Sequence, residues 1–370
     1  MKKMINKFKK IVIKIGSSSI INDKTRKIKY HWLKKFCDDI AAIHQNKKIV
    51  IVCSGAIALG LKFINEKKYI WRLEEKQAAA AIGQIELANK WQSTLKKYKI
   101  NTAQLLLTLQ DSEVRRRYLN VRKTISALHK KNIIPIINEN DTVATEEIRF
   151  GDNDRLAARV SQMIDADLLI LLSDVDGLYS ESPFQNKKAK KIKDIFSIDT
   201  DIEDMAGRKH SSLGSGGMST KIWAAKICMN SGCSVVITSS NKIHPIKNID
   251  KNNSTWFHAD KTPKSSRKQW LLNHLHPSGT IIIDQGATIA IKNNKSLLPA
   301  GVIEIKGRFN RGDVISIVNN QNTKIGVGVI AYDSSDAKKI IGKNSKNIKD
   351  ILGYEGRDEI IHKDDLVRIS

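Results

Sequence analysis

Short, almost uninterrupted apolar runs that stop abruptly at small, polar or acidic residues constrain this chain more than any other feature. Lys10–Ile15 stops at Gly16-Ser17-Ser18-Ser19, and Lys48–Cys53 stops at Ser54-Gly55-Ala56. Ile133–Ile137, with its proline near one end, stops at Asn138-Glu139-Asn140-Asp141. Asp167–Leu172 stops at Ser173-Asp174-Val175-Asp176-Gly177, and Ser234–Thr238 is a further run. Such runs fit strands buried on both faces of a parallel sheet. Between them, apolar residues recur at steps of three and four. Leu33, Phe36, Cys37, Ile40 and Ile43 form one such stripe, and Val114, Tyr118, Val121, Ile125 and Leu128 another. That is the helix period. The alternation predicts an α/β fold: an open, mainly parallel sheet sandwiched by helices, with right-handed crossovers. Ligands of such sheets bind beyond the carboxyl ends of the strands. The residues that close each run are therefore the candidates for chemistry.

At 370 residues the chain has room for two domains. Its composition shifts near Lys261, where Lys261-Thr262-Pro263-Lys264-Ser265-Ser266-Arg267-Lys268 reads as a polar, basic linker. We expect a domain over 1–258, a linker over 259–278 and a small, mostly-β domain over 279–370. Its strands fall at Thr280–Asp284, Val302–Ile305, Asp313–Ile317 and Lys324–Val329, with one helix over Ser335–Ile341. No apolar run approaches the ~20 residues of a membrane helix. The N-terminal apolar stretch is cut by Lys14, unlike a signal peptide. Four cysteines, Cys37, Cys53, Cys228 and Cys233, fit a reducing, cytoplasmic setting.

Lys+Arg number 63 against 38 Asp+Glu, a net charge of +25. A basic chain attracts phosphate backbones. Here the lysines are scattered rather than massed in a stripe, and Lys, Ile and Asn are all abundant. AT-rich codons favour those three, so the charge reads as compositional rather than as an RNA-binding surface.

The sharpest local motif is Gly214-Ser215-Gly216-Gly217-Met218-Ser219-Thr220-Lys221, which opens a helix pattern closing at Gly232. Glycines let backbone approach a ligand, and helix-start N–H groups bind anions. Ser219 or Thr220 is placed to cap that helix. The motif is neither a Walker A loop nor a dinucleotide fingerprint. Lys14 interrupts an apolar run; taken alone it reads as an edge-strand lysine. Gly151-Asp152-Asn153-Asp154 and Asn138-Glu139-Asn140-Asp141 serve equally as helix caps or as carboxylates that accept from a substrate ammonium or orient lysines. The cysteines and histidines lack metal-ligand spacing, and no nucleophile elbow or protein-kinase catalytic loop is present.

In this order the motifs from Ile11–Ser18, Ser54–Ile57, Asn138–Asp141, Gly151–Asp154 and Gly214–Lys221 resemble those of the glutamate 5-kinases, members of the amino acid kinase superfamily. The tail from about Gly279 resembles a PUA domain, with Leu297–Gly301 and Ile351–Tyr354 carrying the likeness. The resemblance implies the amino acid kinase fold and the transfer of phosphate from ATP, with Mg²⁺, to the γ-carboxylate of L-glutamate, the first step of proline biosynthesis. It implies that Lys14 and Lys221 contact the transferring phosphoryl group and that Asp154 holds both. It assigns Ser54, Asp141 and Asn153, with Asp152, to glutamate. It assigns Lys14, Ser173, Asp174, Ser215, Gly216, Gly217, Met218, Ser219, Thr220 and Lys221 to ATP. No resident metal site is expected. Proline is expected as a feedback inhibitor and a homo-oligomer as the assembly. Acetylglutamate, carbamate and uridylate kinases share the fold and the lysines, but the PUA-like tail and Gly-Asp-Asn-Asp turn argue against them. PUA domains elsewhere contact RNA, which keeps RNA as a less favoured partner. Ser173 and Cys53 stand where the family pattern has Thr, and Ser254-Thr255-Trp256-Phe257 replaces Gly-Thr-Leu-Phe.

Overall fold

The computed structural model describes residues 2–64, 72–144, 152–181, 186, 188–207, 217–263, 265–266 and 277–368. It divides into two compact units, Met1–Val114 with Asn120–Pro263, and Arg115–Leu119 with Lys264–Ser370.

The first unit is built on strands β1 (Lys10–Ile15), β2 (Lys48–Cys53), β3 (Thr102–Leu107), β4 (Ile134–Glu139), β5 (Leu168–Ser173), β6 (Asp194–Ile195), β7 (Ser234–Ser239) and β8 (Ser254–Phe257). They form one sheet in the order β3-β4-β2-β1-β5-β7-β8-β6. All pairs are parallel except β7 with β8. The apolar runs of β1, β2, β4, β5 and β7 are the buried interior of that sheet, as their composition requires.

Pleating sends alternate side chains to opposite faces. Ile11, Ile13, Ile15, Ile49, Ile51, Leu168 and Ile170 pack on one side with helices α1 (Tyr30–His44) and α2 (Leu73–Lys96), through Leu33, Phe36, Leu87 and Trp91. Val12, Val50, Val52, Leu169, Leu171 and Val235 pack on the other. There they meet α3 (Asp152–Met163) through Ala157 and Val160, and α4 (Met218–Asn230) through Ala224 and Cys228. Lys14 shares the parity of Val12 and so belongs to the α3–α4 face. Its strand is paired on both sides, Lys14 lying opposite Val52 of β2 and Leu171 of β5. The edge-strand reading of Lys14 is therefore wrong: the lysine sits in mid-sheet and is buried.

The second unit holds a five-stranded sheet ordered β10-β9-β11-β12-β13, with β9 Thr280–Ile283, β10 Val302–Lys306, β11 Val314–Asn319, β12 Lys324–Val329 and β13 Leu366–Arg368. Only β9 and β11 pair in parallel. Ile281, Ile283, Ile315, Ile317, Ile340 and Ile360 fill its core. Helices α5 (Gln285–Lys292) and α6 (Ser334–Ile340) each start at an aspartate cap: Asp284 accepts from the Ala287 N–H, and Asp333 from those of Ser335 and Asp336. Among the described residues, no helix is long and apolar enough to cross a membrane.

Candidate active site

Two helices start at the carboxyl end of the sheet, on the face that Lys14 occupies. The first turn of α3 carries Asn153 and Asp154, and the first turn of α4 carries Thr220 and Lys221. The three elements converge on one carboxylate. Lys14 Nζ lies 2.7 Å from Asp154 Oδ1, and Lys221 Nζ lies 3.2 Å from Oδ2. The Thr220 hydroxyl donates to Oδ2 at 2.9 Å. Asp154 is wholly buried, Lys14 is 6% exposed and Lys221 5%. Burial opposes ionisation of Asp154 most strongly, but Lys14, Lys221 and the hydrogen bonds from Lys14 and Thr220 together outweigh it. They hold its carboxyl below the ordinary range. Among the described residues, two cations share this one anion in a low-dielectric place, which suits a site that receives an anion. Trp223 reinforces the arrangement. The guanidinium groups of Arg155 and Arg159 on α3 lie 5.1 and 5.7 Å from its ring on α4.

A second cluster forms behind β2 and β4. Asn153 Nδ2 donates to the Cys53 carbonyl at 2.9 Å, to Ser54 Oγ at 2.6 Å and to Asn138 Oδ1 at 3.2 Å. Its Oδ1 is buried with no partner among the described residues. A buried acceptor without a donor is costly, and a donor from a ligand or a water would relieve it. Gly55 turns the chain here at φ +112°, a conformation that favours glycine. Asp141 lies on the wall of a neighbouring cavity of ≈320 Å³, lined also by Gln84, Gln104, Glu139, Asn140 and Thr142. Burial pushes its carboxyl up to about 6, because desolvation disfavours the charged form.

Ser173 ends β5, beside β1, and its hydroxyl donates to Asp174 Oδ1 at 2.8 Å. Ser173 is buried and Asp174 exposed. Among the described residues, no hydrogen bond or ion pair joins Asp141, or the Ser173–Asp174 pair, to the two clusters above. Gly217 precedes α4 as its N-cap residue, so Ser219 and Thr220 lie inside the helix instead of capping it. Thr220 spends its hydroxyl on Asp154 and on the Gly217 carbonyl. Met218 and Ser219 occupy the same first turn. Gly214, Ser215 and Gly216 lie outside the described residues, as do Gly151 and the side chain of Asp152. Gln84, which accepts from Asn138 Nδ2 at 2.7 Å, was not among the expected residues. Nothing in the sequence marks a lone glutamine in an alanine-rich helix.

A sequence model of the amino acid kinase family matches residues 9–239, and one of the PUA domain matches residues 279–352. The chain therefore belongs to the amino acid kinase family. Over nearly its whole length it is similar to glutamate 5-kinases. That of Paramagnetospirillum magneticum is 47% identical, covering 97% of this chain and 97% of its own. That of Bartonella henselae is 49% identical, covering 97% and 95%. A solved carbamate kinase from Giardia lamblia, bound to AMP-PNP, covers 68% of this chain and 99% of its own, at 16% identity and a TM-score of 0.49.

Proposed function

We propose that this chain transfers the γ-phosphoryl group of ATP to the γ-carboxylate of L-glutamate, giving γ-glutamyl phosphate and ADP, the first step of proline biosynthesis. A γ-carboxylate oxygen attacks the γ-phosphorus in line; the bond from that phosphorus to the bridging oxygen breaks, and ADP leaves. The nucleophile is already ionised at neutral pH, so no general base is needed. The difficulty is bringing two anions together. Lys14 and Lys221 neutralise the transferring group, and Asp154 keeps both ammonium groups in place without cancelling them. The observation that carries the reading is this buried Lys14–Asp154–Lys221 arrangement at the carboxyl end of a parallel sheet. The glutamate 5-kinase relatives support the choice of acceptor.

Ser54, Asn153 and Asp141, with Asp152, are assigned to glutamate. The free Asn153 Oδ1 and the Asp141 carboxylate suit its ammonium. Ser173, Asp174 and 215–221 are assigned to ATP. Mg²⁺ belongs to this reading as part of the ATP–Mg²⁺ co-substrate; among the described residues, no group of three carboxylate, His or Cys side chains is placed to hold a metal. We assign catalysis to 1–258, joined by 259–278 to a PUA-like domain over 279–370, in a cytoplasmic homo-oligomer. Exposed Phe63, Ile82 and Ile85 offer an apolar face for assembly. Proline, a cyclised relative of glutamate, is expected to inhibit at the glutamate pocket; proline that leaves the glutamate KM untouched would count against that.

The test is ADP release from ATP–Mg²⁺ with L-glutamate, N-acetyl-L-glutamate, bicarbonate plus ammonia, or UMP, with hydroxylamine trapping any acyl phosphate. Hydroxamate formation that depends on glutamate is the expected result. Turnover of another acceptor instead would keep the phosphoryl lysines and overturn the substrate.

A further inference from the structure

The described lining of the cavity beside Asp141 includes two acids, Glu139 and Asp141, and no Lys or Arg. An α-amino acid brings an ammonium, which acids attract, and an α-carboxylate, which they repel. Among the described residues of this wall, the groups that can meet the carboxylate are neutral N–H and O–H donors.

One such donor has its orientation fixed by a relay that starts at the backbone. The Glu139 N–H donates to Asn138 Oδ1 at 2.9 Å. A backbone N–H can only donate, so that end of the Asn138 amide is its oxygen and the other end its NH₂. The NH₂ donates to Gln84 Oε1 at 2.7 Å. The Gln84 oxygen is thereby committed, and Nε2 is its remaining polar end. Gln84 lines the cavity from α2, and among the described residues its Nε2 has no hydrogen-bond partner. Asn138 Oδ1 also receives Asn153 Nδ2 at 3.2 Å, so Gln84 stands one side chain away from the Ser54–Asn153 cluster. The same logic fixes Asn153. Its NH₂ is identified by the Cys53 carbonyl, which can only accept, and that leaves Oδ1 as the acceptor. The relay therefore presents an acceptor on Asn153 and a donor on Gln84, the polarity that an ammonium and a carboxylate on one carbon require.

We propose that Gln84 is a substrate-binding residue whose Nε2 donates to the α-carboxylate of the acceptor amino acid, and that it sets the preference for acceptors carrying that charge. The proposal rests on the reading of L-glutamate as the acceptor.

The test compares wild type, Gln84→Leu and Gln84→Glu with L-glutamate and with L-isoglutamine, in which an α-carboxamide replaces the α-carboxylate and the γ-carboxylate is kept. Loss of one hydrogen bond to a charged group corresponds to roughly 10–100-fold in affinity. Gln84→Leu is expected to raise the glutamate KM by about that factor, with kcat and the ATP KM within a few-fold of wild type. Gln84→Glu sets an acceptor where the donor stood. Its isoglutamine-to-glutamate ratio of kcat/KM is expected to rise at least about tenfold, because the carboxamide can donate to it. A merely structural role would depress both acceptors together, and an unchanged ratio in Gln84→Glu would overturn the proposal. An unchanged glutamate KM in Gln84→Leu would also overturn it. Wild-type protein inactive with glutamate would overturn the acceptor reading and this proposal with it, whereas active wild type with unmoved variants would overturn this proposal alone.

Discussion

At the scale of single residues, the buried carboxylate and its two lysines make unequal demands. Replacing Lys14 or Lys221 by Ala removes a preorganised cation and should lower kcat by ~10²–10³. Asp154 keeps one ionic partner in either variant, so the fold should survive; steady-state kinetics beside far-UV circular dichroism check both statements. Asp154→Asn is different, because it removes the one carboxylate that both buried ammonium groups share. Breaking a buried pair from one side costs about 3–5 kcal/mol, so urea denaturation should show a larger loss for Asp154→Asn than for either lysine variant. Asp141 yields a pH prediction. Its carboxyl titrates at about 6, raised by burial. On the proposed assignment it pairs with the glutamate ammonium, and below that pH it is protonated and loses that pairing. The glutamate KM should therefore rise as pH falls through 6, approaching about tenfold per pH unit below it. Asp141→Asn should flatten that profile while raising KM throughout. For the unliganded fold the sign is opposite. The folded pKa exceeds the unfolded one, so stability from this group is lost as pH rises from about 4 to 6. Bound ammonium offsets that loss.

At the scale of elements, the strands with both faces buried were legible because burial on two sides demands continuous apolar sequence. The runs ending at Ile15, Cys53 and Leu172 could hardly be anything else. Helix α2 was not legible. Ala79, Ala80, Gly83, Leu87 and Trp91 are buried while Ile82 and Ile85 are exposed, so its apolar residues surround the helix instead of forming a stripe. Strand β3 is half-exposed and mixes Thr102 and Gln104 with its leucines, and β13 has only three residues. In the candidate site, the local residue pattern shows Lys14 only as an oddity and its link to Asp154 comes from the family resemblance, because it is the fold that brings the two together. Glycines on facing elements explain how α2 approaches the turn after β2. A Cβ on Gly83 would lie 1.9 Å from the Ala56 carbonyl oxygen, and one on Gly60 1.7 Å from that of Ala79. Backbone thus packs on backbone just after Ser54-Gly55. Gly83→Ala should cost ~3 kcal/mol or more in denaturant unfolding and raise the glutamate KM through displacement of Ser54. Gly286→Ala provides the contrast. A Cβ there meets nothing nearer than Asp284 Oδ1 at 3.4 Å, so the helix should gain ~0.5–1 kcal/mol.

At the scale of the whole molecule, the net charge of +25 is the one property that neither the core nor the kinase chemistry calls for. The proposed catalytic centre uses two lysines, Lys14 and Lys221, and both are buried. The rest of the basic charge is spread over both units, where it acts as a field rather than a contact. Such a field attracts any polyanion by releasing counterions, and that attraction falls steeply with salt without regard to sequence. The expected outcome is therefore measurable RNA binding at low ionic strength, equal for unrelated sequences of the same length. Between about 0.05 and 0.2 M salt it should weaken by orders of magnitude. Filter binding across a salt series, with two unrelated RNAs and a polysulfate of matched charge, would distinguish the cases. Equal slopes for all three would mean that the charge is compositional and that the second unit reads no sequence. A preference for one RNA that persists at the upper salt limit requires contacts to bases as well as phosphates. Those contacts would have to come from particular side chains, and the second unit would then carry a function separate from phosphoryl transfer.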